Sequence, residues 1–171
     1  MATETDTKSC AYVVGDDGLA TWSDTHKDAW IGMLETHKRL TRVLEAELEA
    51  EHGLTLSGAE CLGRLAAAEG RAMRLTALAN ATGLSLSRIS RIVDTLEARK
   101  LVERRSSPED ARAVEAHLSE AGLVLVREAQ GTHFASVQER FFQQLSDEEL
   151  EVLARVFSRF APSAAAACTE S

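Results

Sequence analysis

Hydrophobic positions recur at intervals of three and four along most of the 171-residue chain, the period of helices with one apolar face. Residues 1–23 lack that period. Gly15, Asp16, Asp17 and Gly18 interrupt them, which predicts a flexible N-terminal arm anchored only by Tyr12, Val13, Val14 and Trp22. From Asp24 onward Trp30, Met33, Leu34, His37, Leu40, Leu44 and Leu48 form one stripe, predicting an amphipathic helix of about seven turns that ends before His52-Gly53. Ser57-Gly58-Ala59-Glu60 fits a capping box, with a second helix running through Leu62 and Leu65 to Gly70.

The spacing becomes more specific after Leu75. A short helix carrying Leu75, Leu78 and Ala79 should stop at Gly83, which tolerates a left-handed turn, and Ser85 can cap the next helix. This is a helix-turn-helix pattern. On the second helix Leu86, Ile89, Val93 and Leu96 form the expected buried stripe, with Ser87, Arg91 and Ala98 opposite and Arg88, Ser90 and Thr95 on the flanks. Hydroxyls and arginines on the outward face suit a helix that enters a major groove. Leu101–Arg105 and Ala113–Leu118 read as two strands around a Pro108 turn, so a wing follows the helix-turn-helix at once. Arg104, Arg105 and Arg112 would carry its charge toward phosphate or a narrow minor groove, and Asp110 could pair with one of them to fix the tip.

Ser119 is a candidate cap for a long helix with an apolar line of Phe134, Val137, Phe141 and Leu145, interrupted at Gly131. Ser146-Asp147-Glu148-Glu149 forms a second capping box, opening a helix with Leu150, Leu153, Val156, Phe157 and Phe160 on one side before Pro162. Long apolar helices at both chain ends, with little domain to cover them, predict burial against a second copy. The expected organisation is a flexible arm (1–23), a dimerisation helix (24–56), a winged helix-turn-helix DNA-binding domain (57–118), C-terminal dimerisation helices (119–161) and a disordered tail (162–171). The fold class is therefore mainly α with a small β-hairpin wing, in a homodimer through the N- and C-terminal helices.

Composition narrows the function. Hydrophobic residues make up 44 % and aromatics 5 %, with two prolines, a balance that suits a helical globular protein. The net charge of −8 argues against a polyanionic partner, but its distribution points the other way. Between Arg71 and Arg112 stand nine arginines and lysines against five carboxylates, a basic module within an acidic body. The first twenty residues carry Glu4, Asp6, Asp16 and Asp17 where a signal peptide needs a basic start and an apolar run, and no apolar run is long enough to span a bilayer, so a cytoplasmic location is expected. Cys10, Cys61 and Cys168 read as free thiols. His26, His37, His52, His117 and His133 have no metal-ligand spacing, and no nucleophile elbow or P-loop occurs; no metal, cofactor or enzymatic activity is expected. Two other readings stay open: a regulator that senses thiol oxidation, and a winged helix that binds only protein.

The run from Leu84 through Glu97, followed by Leu101-Val102-Glu103-Arg104-Arg105, resembles the recognition helix and first wing strand of the MarR family of transcriptional regulators. Pro108-Glu109-Asp110-Ala111-Arg112 and Leu118-Ser119-Glu120-Ala121-Gly122 resemble its wing motif and the start of its dimer helix. The likeness covers about residues 25–160. It implies an intertwined homodimer whose first, fifth and sixth helices interlock, bound to a near-palindromic operator with both recognition helices in successive major grooves; the residues read above as facing DNA are Ser85, Ser87, Arg88, Ser90, Arg91, Arg104, Arg105 and Arg112. It also implies release by a small molecule, often an aromatic acid, or by thiol oxidation. A small molecule is expected here, since Cys61 on the second helix should be buried and inert. Trp30, Met33 and His37, on one face of the first helix, are candidates for a pocket holding an aromatic or anionic ligand. The chain departs from the family pattern at Lys100, where glycine is usual, and at Ala111, where arginine is common.

Overall fold

The computed structural model describes residues 12–106 and 113–160; the expected tail (162–171), Cys10 and Cys168 lie outside the described residues. It divides into two compact units, Met1–Arg42 and Val43–Ser171. In the first unit β1 (Tyr12–Val14) pairs antiparallel with β2 (Ala20–Trp22), where the sequence predicts only an arm. The turn explains the difference. Gly18 takes φ 77°, the Asp17 carboxylate accepts from the Leu19 N–H at 2.9 Å, and Trp22 meets Trp30 edge to face with centroids 6.3 Å apart. Helix α1 (Asp24–His52) follows. Its N-terminal apolar residues Trp30, Ile31 and Met33 are exposed, whereas Leu44 and Leu48 are buried in the second unit.

The second unit is a winged helix. Helices α2 (Leu56–Ala67), α3 (Leu75–Thr82) and α4 (Leu86–Ala98) surround a core of Leu62, Leu65, Leu78, Ile89 and Val93. A three-stranded antiparallel sheet closes one side, in the order β3 (Ala72–Arg74), β5 (Val114–Leu118), β4 (Val102–Ser106). Strands β4 and β5 are the wing, with Arg104 opposite Ala116. The sequence reading lacks β3 (Ala72–Arg74), a three-residue strand whose conformation comes from pairing with β5. The α2 cap also differs. Thr55, not Ser57, is the N-cap, accepting from the Gly58 N–H at 3.0 Å, while the Glu45 carboxylate from α1 takes the Leu56 N–H at 2.8 Å. A carboxylate from a neighbouring helix thus takes the part expected of Glu60.

Helix α5 (Glu120–Arg140) starts at the Ser119 cap and runs through Gly131 without a break. Its first turn lies so close to the Leu101 carbonyl that a Cβ at Gly122 would overlap it. Farther along, Thr132 donates to Glu51 at 2.8 Å and Arg140 to Glu47 at 2.6 Å, tying α5 to the end of α1. Helix α6 (Asp147–Phe157) begins at the expected Ser146–Glu149 capping box, yet none of its residues is buried. Among the described residues, no helix is long and apolar enough to cross a membrane.

Candidate nucleic-acid interface

Helix α4 is held at both ends by local chemistry. Ser85 caps it by accepting from the Arg88 N–H. At the other end the Lys100 N–H bonds Glu97 O at 2.8 Å and the Leu101 N–H bonds Leu96 O at 3.0 Å. The same pair of bonds closes α3, from Gly83 to Asn80 and from Leu84 to Ala79, so both helices end in a Schellman motif. Gly83 adopts φ 67° without strain; Lys100 adopts φ 61° at a cost of roughly 1–2 kcal/mol. The Lys100 carbonyl accepts from Ser119 Oγ at 2.8 Å, which anchors this turn to the start of α5.

The faces of α4 are now distinct. Ile89, Val93 and Leu96 are buried as the period predicts, but Leu86 is half exposed because its position at the first turn overhangs the core. Ser85, Ser87, Arg88 and Arg91 share the exposed N-terminal half. On the wing side the structure uses its charges internally. Arg104 reaches back from β4 to donate to Ser90 O at 2.9 Å and Ser90 Oγ at 3.0 Å, and pairs with Asp94 and Glu97. Its own backbone N–H bonds Glu97 at 2.9 Å. Ser90 and Arg104 therefore form a strut that sets the wing against α4. Arg105 is exposed and paired with Glu103 at 2.8 Å. Arg112 and Asp110 lie outside the described residues.

The arginines of the described module separate by partner. Arg64, Arg71, Arg99, Arg104 and Arg105 bond carboxylates or carbonyls, and Arg74 lies 4.0 Å from Glu115. The Arg88 and Arg91 side chains have no partner among the described residues. Sequence reasoning missed Arg99. Its Nη1 donates to Gly53 O at 2.6 Å and its Nη2 to His52 O at 3.0 Å, satisfying the last carbonyl of α1 and that of the residue after it. Its spacing of eleven from Arg88 on one helix was the available signal.

Two cavities flank α2. One, of about 420 Å³, lies between α2 and α5, where Leu56, Leu62 and Val126 meet Arg64, His133 and Phe134. The other, of about 560 Å³, runs between α4 and the α1–α2 turn. Trp30, Met33 and His37 line neither; all three are exposed on α1. Cys61 is fully buried, and desolvation, followed by the neighbouring Glu60 charge, pushes its thiol up to about 11.

Comparisons with known proteins agree with this geometry. A family model described as MarR family matches residues 52–113. AbsC, a MarR family transcriptional regulator from Streptomyces coelicolor, is 36 % identical with a TM-score of 0.77; the likeness covers 82 % of this chain and 94 % of AbsC. Sco3205, a MarR family transcriptional regulator of the same organism whose structure was solved in complex with DNA, is 25 % identical with a TM-score of 0.78, over 84 % of this chain and 93 % of that one. The HTH-type transcriptional regulator MhqR of Bacillus subtilis is 33 % identical over 76 residues, 44 % of this chain and about half, 52 %, of MhqR.

Proposed function

The chain belongs to the MarR family of transcriptional regulators, and within that family we propose that it is a repressor that binds a palindromic operator as a homodimer and is released by a small aromatic or anionic ligand. The observation that carries DNA binding is the exposed N-terminal half of α4, where Arg88 and Arg91 stand near Ser85 and Ser87 without a partner among the described residues. Unmatched guanidinium groups next to small hydroxyls can reach base edges and phosphate without first breaking an internal ion pair. Ser87 and Arg91 read bases; Arg88 and the wing residues Arg105 and Arg112 hold the backbone; Ser90 and Arg104 act on DNA through the angle of the wing. A two-fold dimer places two such helices about 34–36 Å apart, in successive turns of one groove.

The dimer is supported by apolar surface at both chain ends, including Trp30 and Met33 on α1, Phe157 on α6 and Phe160 just after it. The α2–α5 cavity has an apolar wall with His133 and the Arg64–Glu60 ion pair beside it, which suits a small aromatic ligand with one polar group. A buried thiol with a raised pKa resists oxidation at neutral pH, so Cys61 favours the ligand over a redox trigger. Fluorescence anisotropy with duplex DNA from upstream of the protein's own gene, titrated with benzoate, tests the proposal. Wild type should bind this duplex more tightly than a scrambled one and lose affinity as benzoate rises. Equal affinity for both duplexes rules out the repressor reading.

A further inference from the structure

The groove of about 560 Å³ beside α4 gathers Arg88, Arg91 and Arg99 against a single carboxylate, Glu49, and Thr55 and Thr95 also line it. Two of the cations, Arg88 and Arg91, have no side-chain partner among the described residues, and neither has Glu49. Arg99 is pinned by its bonds to His52 and Gly53; three of its five N–H groups remain. On the opposite flank of α4 the positive charge of Arg104 is already matched by Asp94 and Glu97. The helix is thus electrostatically lopsided. A helix seated in a major groove has a phosphate strand on each side, and among the described residues flanking α4 the unmatched cluster lies on the side of this cavity.

We propose that this groove seats a backbone phosphate of the bound duplex, held by Arg88 and Arg99, and that Glu49 opposes it and so limits affinity for DNA of every sequence. The assignment rests on the duplex-DNA reading above. It divides α4 into a base-reading strip, Ser87 and Arg91, and a phosphate-gripping strip that continues through Arg99 onto the end of α1. Glu49 lies on that seam. Its carboxylate repels a phosphate that the arginines attract, so it lowers nonspecific and specific affinity together and leaves their ratio unchanged.

The test is anisotropy on wild type, Arg88→Gln and Glu49→Gln, each with the upstream and the scrambled duplex, across a salt series. Arg88→Gln should weaken both duplexes by the same factor and reduce the salt slope by about one per subunit. Glu49→Gln should tighten both severalfold without changing their ratio. Neither side chain has a described partner to lose, so thermal melting should match wild type; if Arg88→Gln melts early, the Glu49→Gln arm decides. Unchanged affinities for Glu49→Gln, or a loss in Arg88→Gln confined to the upstream duplex, would overturn the phosphate seat. Wild type without affinity for either duplex would instead remove the DNA reading itself.

Discussion

Helices α4 and α6 have the same sequence design and opposite fates. Each opens at a serine cap and carries one apolar stripe at three- and four-residue spacing. In α4 the stripe is spent inside the chain, with Ile89 and Val93 wholly buried. In α6 nothing is buried, and Phe157 stays 45 % exposed. Amphipathicity states that a face needs a partner; it does not say whether that partner lies in the same chain. The α4 face is covered because α2, α3 and the sheet fold around it locally. The α6 face belongs to the proposed dimer.

Disrupting the covered face should have the greatest consequence. Ile89→Ala should cost about 2–5 kcal/mol, since it opens a cavity in a close-packed core; denaturant unfolding of the protein measures the loss. The corresponding change at the end of α6, Phe157→Ala with Phe160→Ala, should act on assembly. Sedimentation should show a monomer, and binding to the upstream duplex should fall with it, because each lost aromatic anchor is worth about 2 kcal/mol or more at an interface. A double variant that stays dimeric would move α6 out of the interface.

Two smaller changes probe the same contrast. Arg91→Ala, on the exposed side of α4, should alter base preference by about 1–3 kcal/mol at defined operator positions and leave stability alone; binding to a panel of single-base operator variants reads this. At the start of α6 the Ser146 backbone N–H, 2.8 Å away, and the Ser146 hydroxyl hold the Glu149 carboxyl below its usual 4.5. A depressed carboxylate stabilises the fold above its unfolded pKa, and that contribution is lost as pH falls through the lower folded value. Acidification below about pH 4.5 should therefore fray the first turn of α6, visible as a smaller amide protection factor at Glu149, measured against the intrinsic exchange rate at each pH. Glu149→Gln, which keeps a capping acceptor without the titrating charge, should lose that pH dependence.

Local chemistry made much of the molecule legible. Ser85, Gly83, Ser119 and the Ser146–Glu149 pair bound their helices where the sequence places them, because caps act within four residues. The two wing strands were readable for the same reason, from alternation around a turn. Features made by long-range neighbours were not. Strand β3 has too few residues for a period, and Ala72 is fixed by standing opposite His117. Thr55 displaced Ser57 as the α2 cap because Glu45 arrives from α1.

Periodicity and capping are properties of neighbouring residues, so a linear reading already specifies a winged helix with two unsatisfied chain ends and a recognition helix rich in arginine and serine. Which of those arginines are free to meet another molecule is settled only when separate elements pack together. Arg104 and Arg91 look alike along the chain, but strand pairing sets Arg104 beside Asp94, Glu97 and Ser90, and no described residue pairs with the Arg91 side chain. A charge available for binding is one that the rest of the fold has not already neutralised, and that depends on how one element packs against another.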